Sequence, residues 1–415
     1  MQYMDISFCY VPSERDGRME IIMIVQPKVK GFICTTAHPE GCKAGVKAQI
    51  DYVKSQPKAE GVKKALVIGC SMGYGLASRI ALAYSCNAAT LGIIFDKPAK
   101  GKRTATAGWY NTAAFEEYAE QDGLYARTLN GDAYSEEMKQ QTIDVIKKDL
   151  GKVDMVIYSI AAPRRTAPDG ITYRSVLKTT DKEYTNKTID LKANQLAEAT
   201  IEPANEEEIN HTIKVMGGED WMLWIKALKE AGVLADGAKT VAYSYIGPEI
   251  TYPIYKDGSI GQAKKDLYRT ADKIQEEIAD VEAYVSVNKA VVTQSSAAIP
   301  IVPLYLAILF RVMKEQNVHE DCVRQMYRMV HDKLCNGGAV ITDESRLIRM
   351  DDWEMKPEVQ AAVLEVWNTI SQDNLEQVTD IDGYWQEFYE IFGFHMDGVD
   401  YDADVDTEVL IPSLA

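Results

Sequence analysis

Short apolar runs recur along this chain, separated by longer stretches whose apolar residues return every three or four positions. Runs this short, rich in Val, Ile and Leu, read as strands buried on both faces, and the intervening period is helical. The pattern predicts strands over Ala65–Ile68, Thr90–Phe95, Tyr125–Leu129, Val153–Ser159, Thr240–Tyr245 and Tyr284–Thr293. Strands alternating with helices predict an extended α/β fold of Rossmann type, a doubly wound parallel sheet with helices on both faces. The first helix after the first strand begins near Tyr74 and turns Leu76, Ile80 and Ala83 inward. A later one carries Leu267, Ala271, Ile274 and Ile278 on one apolar face.

Beyond about Lys314 the pattern becomes helix-rich and acidic. Segments around Val318–Leu334 and Glu354–Leu375 are amphipathic, and Trp385, Phe388, Tyr389 and Phe392 are placed to seal a cap onto the body. This predicts an N-terminal extension over 1–22, a Rossmann-type domain over 23–313 and a helical C-terminal appendage over 314–415, with no linker between them. The most apolar segment, AAIPIVPLYLAILFRVM, is cut by Pro300 and Pro303 and closed by Arg311. It predicts a buried helix rather than a membrane span.

Composition narrows the classes. The 415 residues are enough for a large core, and 46% hydrophobic with 26% charged residues is ordinary for a globular protein. A net charge of -17 argues against a nucleic-acid partner, which needs a basic face. Seven cysteines in no paired framework, and no basic-then-apolar leader, point to a reducing cytoplasm. The sequons at Asn186 and Asn210 are then accidental. Cys34, His38 and Cys42 lack a fourth zinc ligand nearby, and the run from Asp400 to Asp404 has Val405 and Ile411 where a calcium loop needs Gly and Glu. No metal is expected, and the five histidines suggest no Ser-His-Asp arrangement.

The chemistry lies in two places. Gly69, Cys70, Ser71, Met72, Gly73, Tyr74 and Gly75 form a G-x-x-x-G-x-G turn after the run ALVI and before an amphipathic helix. There a Rossmann sheet holds a dinucleotide's pyrophosphate against a helix N-terminus. Phe95 and Asp96 close the next strand in GIIFDKP, where a carboxylate accepts from both adenosine ribose hydroxyls and repels a 2′-phosphate. Lys97, Lys100, Lys102 and Arg103 follow, a solvated loop or a phosphate-binding patch. Downstream, Tyr255 precedes Lys264 by nine positions in TYPIYKDGSIGQAK, with Gly258 and Gly261 between. A tyrosine backed by a lysine polarises a carbonyl in many nicotinamide enzymes. The wide gap predicts a loop bearing Tyr255 and a helix bearing Lys264.

The turn and the wide Tyr/Lys pair, with GFICTTAHPEGC, TAGWYN, YSIAAPRR and SYIGPE, resemble the FabV-type enoyl reductases, which include the trans-2-enoyl-CoA reductases. The likeness runs from Met23 over nearly the whole chain. It implies NADH-dependent reduction of a trans-2-enoyl thioester, carried by CoA or acyl carrier protein, by a monomer. It implies that Tyr255 stabilises and protonates the enolate, that Lys264 lowers the phenol's pKa and holds the nicotinamide ribose, and that Tyr245 meets the substrate at the same oxygen. Asp132 and Ala133 then match the adenine edge, and Ile160 and Ala161 the nicotinamide ribose. Thr293, Gln294 and Ser295 match a segment on the nicotinamide side. The family usually has Glu where this chain has the shorter Asp96. Its C-terminal region has been labelled flavin-binding, but no flavin fingerprint is visible here. A short-chain ketone or alcohol oxidoreductase and a non-catalytic dinucleotide sensor are the alternatives.

Overall fold

The computed structural model describes residues 13–15, 18–20, 22–30, 33–293, 296 and 299–415. Gln294 and Ser295 therefore lie outside the described residues. Seven parallel strands form one sheet: β1 Lys64–Ile68, β2 Ala89–Ile94, β3 Ala126–Asn130, β4 Val153–Tyr158, β5 Leu234–Ser244, β6 Val281–Val287 and β7 Leu347–Arg349. Their order across the sheet is β3-β2-β1-β4-β5-β6-β7. Strand order reverses between β1 and β4, and ligands of such sheets bind beyond the carboxyl ends at that point.

Helices cover both faces because the strands alternate apolar side chains to each. Ala65 and Val67 of β1 join the cluster formed by α1 (Pro39–Ser55), α2 (Gly73–Cys86) and α3 (Ala107–Gln121). Leu66 and Ile68 join the one formed by α4 (Glu136–Val145), α6 (Glu219–Glu230, after α5 at Glu206–Met216) and α7 (Ser259–Glu277). The anticipated inward residues Leu76, Ile80, Ala83, Leu267, Ala271, Ile274 and Ile278 are all buried.

Several features differ from expectation, among them β5, which begins at Leu234 rather than Thr240. The strand expected over Tyr284–Thr293 ends at Val287, because after Asn288 the amides turn to side chains: Lys289 N–H donates to Gln325 Oε1 at 2.9 Å and Ala290 N–H to Glu354 Oε2 at 2.7 Å. β7 was not anticipated; it is three residues long and pairs only over Val285–Val287 of β6. Two hairpins, Arg164–Thr166 with Thr172–Arg174 and Tyr184–Asp190 with Gln195–Ile201, fill the stretch between β4 and α5.

The apolar segment forms α8 (Val302–Glu315), buried along Val302–Phe310 between α10 (Pro357–Thr369), α12 (Ile381–Glu390, after α11 at Leu375–Val378) and the Tyr184–Asp190 strand. Among the described residues no helix is long and apolar enough to cross a membrane. The helix expected from Val318 starts only at Cys322, where Asp321 caps α9 (Cys322–Arg328). Trp385 stacks on Tyr389 at 5.6 Å and Phe388 meets Phe392 at 5.5 Å, so the aromatic seal forms. His38 Nδ1 caps α1 by accepting from Gly41 N–H at 3.1 Å, and Val405 and Ile411 are buried in the core.

The turn after β1 depends on Gly69. Its φ is +82° and its amide donates to Ile93 O at 2.9 Å. A Cβ there would lie 2.3 Å from Ser159 O, forcing β1 away from β4. Gly69→Ala is expected to destabilise the protein by about 2–4 kcal/mol, since left-handed strain and a backbone clash add. Denaturant melts measure this, and a variant within about 0.5 kcal/mol of wild type contradicts the close approach.

Candidate active site

The crevice at the strand reversal begins with the turn. Gly69 and Cys70 give their amides to Ile93 O, and the Cys70 thiol is buried against Ile93 O at 3.6 Å. Anion-binding amides must therefore come from Ser71 onward, where α2 starts with Met72 at its N-cap. First-turn amides have no partner within a helix. Tyr74 turns its hydroxyl inward to Lys289 O and to Gln325 Oε1 at 3.1 Å.

Asp96, just past β2, accepts from Thr106 Oγ1 at 2.7 Å, and its amide donates to Asn130 Oδ1 at 2.9 Å. A Cβ on Gly108, in the first turn of α3, would come within 2.6 Å of both Asp96 Oδ1 and Ser71 Oγ. The turn and the strand-end carboxylate thus converge on one bare stretch of helix backbone. Phe95 beside them is 77% exposed, an unusual state for so large an apolar ring. Ile160 follows β4 with Cγ1 3.4 Å from a Cβ built on Gly69, and Ala161 is exposed next to it. Asp132 is exposed, with Oδ1 accepting from Tyr134 N–H at 3.0 Å, while Ala133 is half-buried and its carbonyl accepts from Trp224 Nε1 at 3.0 Å. Thr293 Oγ1 accepts from Ser296 N–H at 3.0 Å.

Tyr255 stands, as anticipated, before a helix that carries Lys264. Its amide donates to Thr251 O at 3.0 Å, closing a single helical turn. That turn abuts the start of α7, where a Cβ on Gly261 would lie 2.5 Å from Tyr255 O. Gly261, one of the two glycines among the eight residues between Tyr255 and Lys264, is what lets the two segments touch. Thr180 Oγ1, ahead of the second hairpin, holds Asp257 O at 2.6 Å, and Tyr184 Oη holds Ile250 O at 2.9 Å.

Tyr245, past β5, presents its ring edge-to-face to Tyr255 with centroids 4.7 Å apart at 84°. Its hydroxyl donates to Glu354 Oε1 at 2.9 Å. Lys264 Nζ donates to Tyr243 O at 2.9 Å, two residues before Tyr245 at the end of β5. Burial first, and the Glu354 carboxylate second, push the Tyr255 hydroxyl well above its ordinary pKa. This departs from the expectation that Lys264 lowers it. In this arrangement the ammonium is turned to a carbonyl, and desolvation dominates. The phenol is held neutral, a hydrogen-bond donor.

Glu354 was not anticipated. It sits in DDWEMKP among many acidic residues, and no spacing separates it from a solvated one. Tyr305, Lys289 and Gln325 were missed for the same reason: each looks like part of an amphipathic pattern or a strand end.

Comparison with known proteins decides the family. The chain matches family models described as the NAD(P)H binding domain of trans-2-enoyl-CoA reductase over residues 24–101, the trans-2-enoyl-CoA reductase catalytic region over 103–335, and the enoyl reductase FAD binding domain over 342–405. It is 56% identical to the NADH trans-2-enoyl-CoA reductase of Ruminiclostridium cellulolyticum, covering 94% of this chain and 100% of that one. The chain belongs to the trans-2-enoyl-CoA reductase family. The NADH enoyl-[acyl-carrier-protein] reductase of Psychromonas ingrahamii is 53% identical over 93% of this chain and 98% of its own. Among solved structures, the Treponema denticola trans-2-enoyl-CoA reductase in complex with NAD superposes with a TM-score of 0.91 at 46% identity, covering 94% of this chain and 100% of that one. The Clostridium acetobutulicum trans-2-enoyl-CoA reductase in complex with NADH also gives 0.91, at 43% identity, covering 94% and 99%.

The residues fit a nicotinamide dinucleotide: a strand, a sharp glycine turn, a helix N-terminus and a strand-end carboxylate converge at the strand reversal. They do not fit a flavin. Across 342–405, α10 commits Val359, Val363 and Trp367, and α12 commits Ile381, Tyr384 and Phe388, to the core. That segment contains no strand–glycine turn–helix unit.

Burial lowers the Lys264 ammonium from 10.5 to about 8. The folded protein then binds fewer protons than the unfolded one between those values, so this group makes stability rise with pH across that window. Lys264→Met removes the effect. The melting temperature of the cofactor-free variant minus that of wild type is expected to fall as pH rises from about 8 towards 10.5. A difference that stays flat over the series places the lysine in water.

Proposed function

We propose that this protein reduces a trans-2-enoyl-CoA to the saturated acyl-CoA with NADH, at Tyr255 and Lys264. The observation that carries the reading is a half-buried Tyr255, its phenol held neutral and packed edge-to-face on Tyr245, with Lys264 held by the Tyr243 carbonyl at the end of the same strand, next to a dinucleotide crevice. A bound NADH supplies hydride. Addition at the β-carbon moves an electron pair onto the thioester oxygen, and the Tyr255 hydroxyl donates to that enolate and supplies or relays the proton. Lys264 holds the nicotinamide ribose from the floor of the cleft. Amides from Ser71 to Tyr74 take the pyrophosphate, with Gly69 and Cys70 shaping the turn. Phe95, Asp132 and Ala133 border the adenine. Ile160, Ala161 and Thr293 border the nicotinamide end, and Tyr245 the substrate.

A second reading, acyl carrier protein as the carrier, is favoured by the 53% identity to an enzyme named for that substrate. The site chemistry is the same, so kcat/KM for crotonyl-CoA against crotonyl-carrier protein separates the two. The enzyme acts as a monomer in this reading.

Tyr255→Phe is expected to bind NADH normally and lose about 10²–10³ in kcat, the usual effect of removing one donor to a developing oxyanion. If it kept half the wild-type kcat with its fold intact, Tyr255 would leave the mechanism. Asp96 is expected to enforce NADH, because a 2′-phosphate would face a carboxylate in a partly dry cleft at several kcal/mol. Asp96→Ser should narrow the ratio of kcat/KM for NADH over NADPH at least tenfold, about 1.4 kcal/mol. A wild type that prefers NADPH, or an unmoved ratio, removes this role.

A further inference from the structure

A phenol carries one hydrogen to donate. That of Tyr245 goes to Glu354 Oε1 at 2.9 Å. The same oxygen accepts from Tyr305 Oη of α8 at 2.6 Å, and Oε2 accepts from Ala290 N–H at 2.7 Å. Glu354 is fully buried, and Gln360 Nε2 of α10 fixes its carbonyl at 2.7 Å. Burying a carboxylate is costly and, as a packing device, an apolar side chain of the same size serves as well or better. Three donors on two oxygens make this one a fixed anchor rather than an accident, and its anchorage ends at the tyrosine that touches Tyr255.

We propose that Glu354 is a positioning residue for the reduction: it draws the Tyr245 hydroxyl away from the substrate, holds the Tyr245 ring edge against Tyr255, and leaves Tyr255 as the phenol that donates to the thioester oxygen. The inference rests on the enoyl-thioester reading above and changes one part of it. Tyr245 contributes a ring surface to the site, and its hydroxyl is a tether rather than a second proton donor.

The test is a double-mutant cycle with crotonyl-CoA. Glu354→Gln keeps the size but sets an amide N–H against either the phenols or the Ala290 amide, releasing the tether. Tyr245→Phe removes the same bond from the other end. Each is expected to lower kcat by a similar factor, about 3- to 10-fold, with the KM for NADH changed less than about twofold, and the double variant should be no worse than the weaker single. A merely structural role would give losses that multiply, and that result overturns the proposal. So does a Tyr245→Phe loss of about 100-fold beside an unaffected Glu354→Gln, because the Tyr245 hydroxyl would then act on the substrate directly. A crystal structure of Glu354→Gln decides independently of turnover. The Tyr245 ring is expected to leave its edge contact with Tyr255, and an unmoved pair sinks the proposal. A wild type inactive on every enoyl thioester would instead refute the functional reading, with the structural comparison still standing as the test of Glu354.

Discussion

Backbone amides that leave a sheet must find partners, and the segment after Val287 is where this protein meets that constraint. β6 ends there, and α8 begins only at Val302. Asn288 N–H still donates to Ser244 O of β5, and the next two residues are answered by side chains: Gln325 and Glu354 accept from Lys289 and Ala290, and Tyr74 donates to Lys289 O. Buried peptide groups left unpaired would each cost about 1–3 kcal/mol, so these bonds are obligatory rather than decorative. They also join three distant stretches: the glycine-turn helix, the crevice wall and the C-terminal region. The helical appendage therefore shares one hydrophobic cluster with α1, α2 and α3.

That sharing explains why the site is only half legible in the sequence. β1, β2 and β4 announce themselves because burial on both faces demands nearly unbroken apolar runs, whereas β3 and the first half of β5 are part-exposed and carry polar residues. The glycine turn is legible because φ +82° at Gly69 admits little else. Tyr255 and Lys264 stand out through the family likeness, and Gly261 through the close approach it permits. Glu354 carries no such mark. Its role comes from three donors contributed by Tyr245, Tyr305 and Ala290, as far as 109 positions away, and no local pattern encodes a meeting of that range. β7 and the hairpins were hidden for a related reason: three paired residues, or strands with mostly half-exposed side chains, leave no run of apolar residues to read.

The electrostatics of the site follow from dryness more than from charge pairing. Desolvation is the largest influence on Tyr255, Tyr245, Glu354 and Lys264 alike. It favours the uncharged form of each, moving the phenols and the carboxyl upward and the ammonium downward. A neutral phenol is a suitable group to meet an enolate, since it can give a proton without first repelling the developing charge. Desolvation lowers the Lys264 ammonium to about 8, so it gives up its proton more readily than an exposed lysine does. The sequence expectation assigned the Tyr255 shift to Lys264, whereas the surroundings of the pair govern it.

The C-terminal region earns its place through the same anchor. A segment matching a flavin-binding description would need to offer a phosphate turn and an open apolar slot. Here its aliphatic and aromatic side chains are already committed to α8 and the core, and its buried carboxylate points back into the reductase cleft. The second hairpin completes the enclosure, with Lys187 Nζ held by Trp367 O at 2.7 Å and Leu196 N–H by Gln372 Oε1 at 2.9 Å. One strand pair thus braces the Tyr255 turn through Tyr184 and the C-terminal helices through Lys187. The pair of phenols past β5 is thus held by elements that close around it from both sides, the second hairpin through Tyr184 and the C-terminal region through Glu354.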